Sequence, residues 1–307
     1  MKILNFGSMN LDYVYEVDTF ILPKETKAAR ALSIHCGGKG LNQSVAAAKA
    51  GNIVAHAGIL GKDGAALEKM LQENGVDTQY LTHQEVSCGH AVIQVEDSGQ
   101  NCILLYGGTN RMLTEAYIHE VLDAFGKEGL VLLQNETNLV GYIIAEAHKR
   151  GLQTAFNAAP MEKAVLGYPL ELLDWMIVNE VEGMQLAGCK KTDEIIPALK
   201  KQYPGCGILL TLGSEGACCY KDGKEYTIGC FQVPVVDTTG AGDTFTGYFL
   251  YGIYHGRSVQ DSLLLASTAS TIAIGRKGAA ESIPLLEEVK ECMMKKVFGT
   301  LEVSCKE

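Results

Sequence analysis

Positive charge is scarce in this chain. Its 307 residues carry 26 Lys and Arg against 36 Asp and Glu, a formal net charge of −10. A general nucleic-acid binder needs Lys and Arg to neutralise phosphates, so that class is excluded. Local binding of an anion is not, because a few backbone N–H groups and one or two cations suffice. Long apolar runs are also missing: none reaches the roughly 18–20 residues that span a bilayer, so no membrane partner is expected. The opening Met1–Gly7 turns polar too early for a signal peptide and reads as a first strand. No C-x-x-C pair and no zinc spacing occur among the ten cysteines, which are scattered apart from the neighbours Cys218 and Cys219. The expectation is reduced thiols in a cytoplasmic protein. Long internal repeats, linkers and low-complexity tracts are absent too, so a single domain over 1–307 is expected.

What the chain does contain is a rhythm of short apolar runs and helical patterns. Leu130–Leu133 reads as a buried strand, 138–150 as a helix stopped by Gly151, and Gln153–Phe156 as the next strand. Trp175–Val178 and Gly207–Thr211 repeat the theme. Unbroken apolar strands alternating with helices imply an α/β fold, a mostly parallel sheet covered on both faces. Ligands of such folds bind beyond the carboxyl ends of the strands. Two stretches break the rhythm: residues 11–35, interrupted by Pro23, and residues 88–106, a hairpin turning at Asp97-Ser98-Gly99. Strands without intervening helices suit a small β-sheet lid or a dimer surface. A third hairpin is expected at Ala217–Tyr220 and Glu225–Ile228.

Chemistry concentrates in Asp237-Thr238-Thr239-Gly240-Ala241-Gly242-Asp243-Thr244-Phe245. It is read as following a strand, Phe231–Val236, and opening a helix, Phe245–His255. Small residues at a helix start leave N–H groups bare, and with the helix dipole they form an anion hole suited to a transferred phosphoryl group. A carboxylate beside that hole, Asp243, can accept the proton of an attacking hydroxyl. The bland alternative is a tight connection and nothing more. The second segment, Cys36-Gly37-Gly38-Lys39-Gly40-Leu41-Asn42-Gln43, leads into an expected helix at Ser44–Ala50. Its glycines admit close approach of a ligand, Lys39 supplies charge and Asn42 both donates and accepts. Its alternative is an ordinary turn with a solvent-facing Lys, and Cys36 reads as a small buried hydrophobe.

Together the two segments resemble the two signatures of the ribokinase (PfkB) family of carbohydrate kinases. Further motifs follow in the family's order: Gly7–Asp12, Glu136, Asn157-Ala158-Ala159-Pro160, Asn179-Glu180-Val181-Glu182, Thr211–Gly216 and Arg276–Ser282. The resemblance implies a ribokinase-like fold with lid insertions at about 11–35 and 88–106. It implies ATP-dependent transfer of the γ-phosphate to a terminal hydroxymethyl, most closely that of D-ribose. Asn10, Asp12, Gly38, Lys39, Asn42 and Glu136 would bind the sugar. Asp243 would be the base, and the N–H groups of Gly240, Ala241, Gly242 and Asp243 would hold the γ-phosphate. Thr211, Gly213, Gly216 and Asn179 would serve the nucleotide. Asn179 and Glu182 would hold Mg²⁺ through water, as suits an ion that keeps its hydration shell. Asp237, Thr239, Arg276, Gly278 and Ser282 would surround a K⁺ that orders the anion-hole loop. A homodimer through the lid is implied as well.

Alternatives stay open for individual residues: a turn role for Asp12, a first-turn helix acid for Glu182 and a helix cap for Ser282. Tyr248 departs from the pattern, which has a small residue there, and its ring must be housed by neighbours. The lid residues His90, Gln94 and Tyr106 put the identity of the substrate in question. A nucleoside kinase with Tyr13, Tyr15 or Tyr106 as base platform, another hexose or ketose kinase, and a non-catalytic sugar-binding protein are the competing readings.

Overall fold

The computed structural model describes residues 1–306. In chain order the strands and helices begin with β1 (Lys2–Phe6), β2 (Asn10–Glu16), β3 (Ala31–Gly37), α1 (Lys39–Lys49), β4 (Ile53–Gly61), α2 (Ala65–Glu73) and β5 (Asp77–Gln84). Then come β6 (Gly89–Val95), β7 (Asn101–Tyr106), α3 (Glu115–Phe125), β8 (Leu130–Gln134), α4 (Val140–Lys149) and β9 (Gln153–Asn157). They are followed by β10 (Trp175–Asn179), α5 (Glu180–Ala187), α6 (Ile195–Gln202), β11 (Gly207–Thr211), β12 (Ala217–Lys221) and β13 (Lys224–Ile228). The chain closes with α7 (Ala241–Tyr254), α8 (Val259–Ile274), α9 (Leu286–Lys295) and β14 (Val303–Lys306).

Ten strands form one sheet in the order β14-β13-β12-β11-β10-β9-β8-β1-β4-β5. Pairing is parallel from β11 through β5 and antiparallel from β11 to β14. The central strands are mostly apolar and buried at all but a terminal position because both faces are covered. Alternate residues separate accordingly. Ile3, Leu130, Leu132, Ile177 and Leu209 join the core under α1, α7 and α8, whereas Leu4, Val131, Leu133, Val178 and Leu210 join that under α3, α4 and α6. The fold is thus α/β, a large mostly parallel sheet between helices.

A separate four-stranded sheet, β3-β2-β6-β7, carries the two irregular stretches. β2 and β6 pair in parallel and both outer pairs are antiparallel. All six residues of β7 are exposed. The hairpin β12–β13 lies where alternation predicts it.

Three expectations fail locally. Residues 231–236 form no strand. The outer edge of β13 is already taken by β14, and the N–H groups of Val236 and Asp237 both donate to the Ile274 carbonyl instead. Helix α7 begins at Ala241 rather than Phe245, and α1 at Lys39 rather than Ser44. In both, residues assigned to a turn are the first helical turn itself; in α7 this leaves N–H groups unpaired at the helix mouth, whereas those of α1 are taken by Glu136, Ser8 and Gly38. Tyr248 is fully buried on α7 and its hydroxyl donates to the Pro284 carbonyl at 2.7 Å.

Candidate active site

The site lies at the carboxyl ends of the central strands, between α1 and α7. Gly240 takes a left-handed conformation, φ 74°, which turns the chain into α7 against Ala279. The N–H of Thr244 closes the first helical bond on Gly240. The Ala241 N–H donates to Thr238, while those of Gly240, Gly242 and Asp243 have no acceptor among the described residues. Three bare amides at a helix N-terminus, rather than the four expected, face a cavity of about 200 Å³. Asp243, 7% exposed, lines the same cavity with Lys39, Asn179, Glu182 and Thr211. Its two oxygens accept from Asn42 Nδ2 at 3.0 Å and Gln43 Nε2 at 2.9 Å, both on α1.

Lys39 is half-buried beside Glu136, to which its backbone N–H donates. Burial pulls its ammonium down, but Asp243, Glu136 and Glu182 outweigh burial and hold it above its ordinary value. It is a cation in the cavity that Asp243 and the bare amides line. Asn179 and Glu182 form a reciprocal capping box on α5: Glu182 N–H donates to Asn179 Oδ1 at 2.9 Å and Asn179 N–H to Glu182 Oε2 at 3.0 Å. Burial raises the Glu182 carboxyl. Glu182 is thus a helix-capping acid, and its second oxygen has no partner among the described residues.

A second cavity, about 340 Å³, continues from the first through Thr211, Thr238 and Gly242. It is bounded by Gly213, Gly216, Val233 and Phe245, and on α8 by Ser267 and Thr271. The size and the mostly apolar walls suit a planar base.

The expected sugar residues continue from Asp243 in the other direction. Asn42 is 5% exposed and, with Nδ2 committed to Asp243, its Oδ1 has no partner. Glu136 accepts from Lys39 N–H at 2.9 Å and from the Ser8 hydroxyl, and Ser8 Oγ accepts from Gly40 N–H at 3.1 Å. Asp12 on β2 lies directly over Gly37, where an added Cβ would fall 2.0 Å from its carboxylate. Burial, and then Glu136 and Glu281, push the Asp12 carboxyl up to about 7. Asn10 Oδ1 accepts from Asn110 Nδ2 at 2.7 Å. Gly38, φ 93°, caps α1 between these groups.

The third expected cluster is held by Asp237. It accepts from Thr239 N–H at 2.9 Å, Thr239 Oγ at 2.7 Å and Gly278 N–H at 3.0 Å. These donors outweigh burial and keep the carboxyl below its ordinary value. Ser282 caps no helix; its hydroxyl donates to Ala279. Arg276 points to Glu288 and the Ser282 carbonyl, away from Asp237. Of the lid residues, Gln94 accepts from Ile21 N–H, Tyr106 is largely exposed, and His90 packs between Tyr13 and Tyr106.

Sequence reasoning gave no role to Gln43, Gln134, Asn110 or Ser8. Gln134 had a signal: it is the one polar residue ending the apolar run of β8. Asn110 had none beyond the Gly107-Gly108 turn that precedes it.

A bare-amide helix mouth, a buried carboxylate and an adjoining base-sized cavity on this fold define a phosphotransferase with a sugar hydroxyl as acceptor. The model of the pfkB family carbohydrate kinases matches residues 1–286, and the chain belongs to that family. A ribokinase from Haemophilus influenzae is 34% identical over 295 residues, covering 93% of this chain and 96% of its own. The crystal structure of Cryptococcus neoformans ribokinase with ADP matches with a TM-score of 0.82 at 34% identity, covering 94% of this chain and 99% of its own. That of Arabidopsis thaliana ribokinase with ribose and ATP matches with a TM-score of 0.82 at 28% identity, covering 94% and 97%.

Proposed function

We propose that the protein is a ribose kinase: ATP and D-ribose give ribose 5-phosphate and ADP. The observation that carries this reading is the Asp243 carboxylate, buried and held by two amide donors beside three bare N–H groups. Asp243 accepts the proton of the terminal hydroxymethyl as its oxygen attacks the γ-phosphorus and the bond to the ADP oxygen breaks. The N–H groups of Gly240, Gly242 and Asp243, with Lys39, stabilise charge on the phosphoryl oxygens. The orphaned Asn42 Oδ1 is a ready acceptor for a sugar hydroxyl, and Asp12, Asn10 and Glu136 take the remaining hydroxyls.

The free Glu182 oxygen, beside Asn179, fits water-mediated holding of Mg²⁺, which supplies charge neutralisation on the nucleotide phosphates. Asp237 and Thr239 Oγ are hard oxygen donors of the kind suited to K⁺. The chain works as one cytoplasmic domain, with the small sheet as its lid. Leu32, Ile34, Ile103, Leu104 and Leu105 leave that sheet with an apolar surface suited to a second copy. Among the described residues no helix is long and apolar enough to cross a membrane.

A coupled ADP-release assay over pentoses, hexoses and nucleosides, with and without K⁺, tests the reading. Ribose-dependent turnover enhanced by K⁺ is expected. Turnover with nucleosides and none with any pentose contradicts it.

A further inference from the structure

Behind Asp243 runs a line of polar side chains with no contact to either cavity. Gln43 donates to Asp243 Oδ1 through Nε2, and its own Oε1 accepts from Gln134 Nε2 at 2.7 Å. Gln134 Nε2 also donates to Asn5 Oδ1 at 3.2 Å. Asn5 Nδ2 donates to Gly40 O and to Ser44 Oγ, both at 2.8 Å. Ser44 Oγ meets His56 Nδ1 at 2.8 Å, and His56 Nε2 lies 3.1 Å from the Gly7 carbonyl. Gln43, Gln134, Asn5, Ser44 and His56 are all at most 1% exposed.

Their donor directions leave one solution. The Gly7 carbonyl only accepts, so His56 carries its proton on Nε2 and Ser44 donates to Nδ1. Burial pulls the imidazole down to about 4, which keeps it neutral. Ser44 must then accept from Asn5, Asn5 presents its oxygen to Gln134, and Gln134 presents its nitrogen to Gln43. Gln43 can therefore offer only Nε2 to Asp243. The cost is visible, since Gln134 Oε1 is buried without a partner. An apolar core would avoid that cost, so packing alone does not account for the line.

We propose that Gln43 and Gln134 are positioning residues, which fix the Asp243 carboxylate toward the attacking hydroxyl by locking the Gln43 amide in its donor orientation. The inference rests on Asp243 being the base. A turned Gln43 amide would set oxygen against carboxylate, so the locked orientation holds the base in place and in its accepting form. Neither glutamine lines either cavity, so sugar and nucleotide binding is expected to be independent of them.

The test compares Gln134→Met, Gln43→Met, Gln134→Glu and Asp243→Asn in the full chain with D-ribose and ATP. The readouts are kcat, both KM values, the ribose Kd by calorimetry and the thermal midpoint. The two Met variants keep shape but remove the donors. Their kcat is expected to fall about 10–100-fold, as for a misplaced catalytic group. Both KM values and the ribose Kd should stay within about twofold. Gln134→Glu is isosteric yet draws the Gln43 nitrogen away from Asp243, and should lose more kcat than Gln134→Met. If it does not fold, the Met variants decide. A kcat within about twofold of the parent in both Met variants, with Asp243→Asn inactive, overturns the positioning role alone. Met variants that lose kcat, ribose affinity and thermal midpoint together also overturn it, as a folding defect. Full activity of Asp243→Asn overturns the base itself and this inference with it.

Discussion

The two ends of the site are built on opposite terms. At the phosphoryl end, Asp243, Asn42 and Gln43 are buried on α1 and α7, and every carboxylate oxygen has a fixed donor. At the lid end, β3 and β7 are almost wholly exposed, and Asp12 holds its place against electrostatic repulsion from Glu136 and Glu281. On the proposed reading the buried end, where the Asp243 carboxylate is fully held, governs what is done to the substrate. On that reading the open sheet contributes to which substrate is accepted. The reaction class is then set at the phosphoryl end, and the lid end adds to specificity through Asp12 and Asn10.

Substitutions can break that division. The largest effect is expected for Asp243→Asn, whose kcat should fall by about 10²–10⁴-fold, the usual contribution of general base catalysis, with ribose affinity nearly unchanged. Steady-state kinetics with calorimetry checks both halves. Glu182→Gln should weaken Mg²⁺ activation by about 10–100-fold, a loss typical of groups that orient a metal's ligand shell. Titration of turnover with Mg²⁺ measures it.

Asp12 gives the lid end a pH signature. Its folded value of about 7 exceeds the ordinary 3.8, so between about 4 and 7 the native state holds more protons than the unfolded chain. Stability of the ligand-free protein therefore falls as pH rises through that window, and Asp12→Asn should flatten the slope. Ribose affinity should move oppositely, rising about tenfold from pH 6 to 8, as the ionised fraction does around a value of 7. Thermal scans and calorimetry at the two pH values check each sign. The smallest effect is expected at Tyr248, which lines neither cavity. Tyr248→Phe strands the Pro284 carbonyl and should cost about 1–2 kcal/mol in denaturant unfolding with kcat unchanged.

Legibility in the sequence followed the same division. Strands β8 to β11 were plain because burial on both faces demands unbroken apolar runs, and the β6–β7 hairpin because Asp97-Ser98-Gly99 marks its turn. The glycine-rich segments stood out because few chemistries need a bare helix mouth. Long-range pairings were not legible. Nothing near Phe231 reveals that β14, some seventy residues later, takes the sheet edge beside β13. Nor does Gln43 reveal that its partners are Asp243, 200 residues on, and Gln134. Asn5 and His56 interrupt apolar strands, yet a lone polar residue in a strand does not name its partner.

The central claim is that the bare amides opening α7 cradle the migrating phosphoryl group beside Asp243. A crystal structure with D-ribose and a non-hydrolysable ATP analogue tests it most directly. The terminal phosphate is expected within hydrogen-bond distance of the Gly240, Gly242 and Asp243 N–H groups, with the ribose hydroxymethyl against the Asp243 carboxylate. A terminal phosphate bound elsewhere, or a hydroxymethyl turned away from Asp243, would contradict the account.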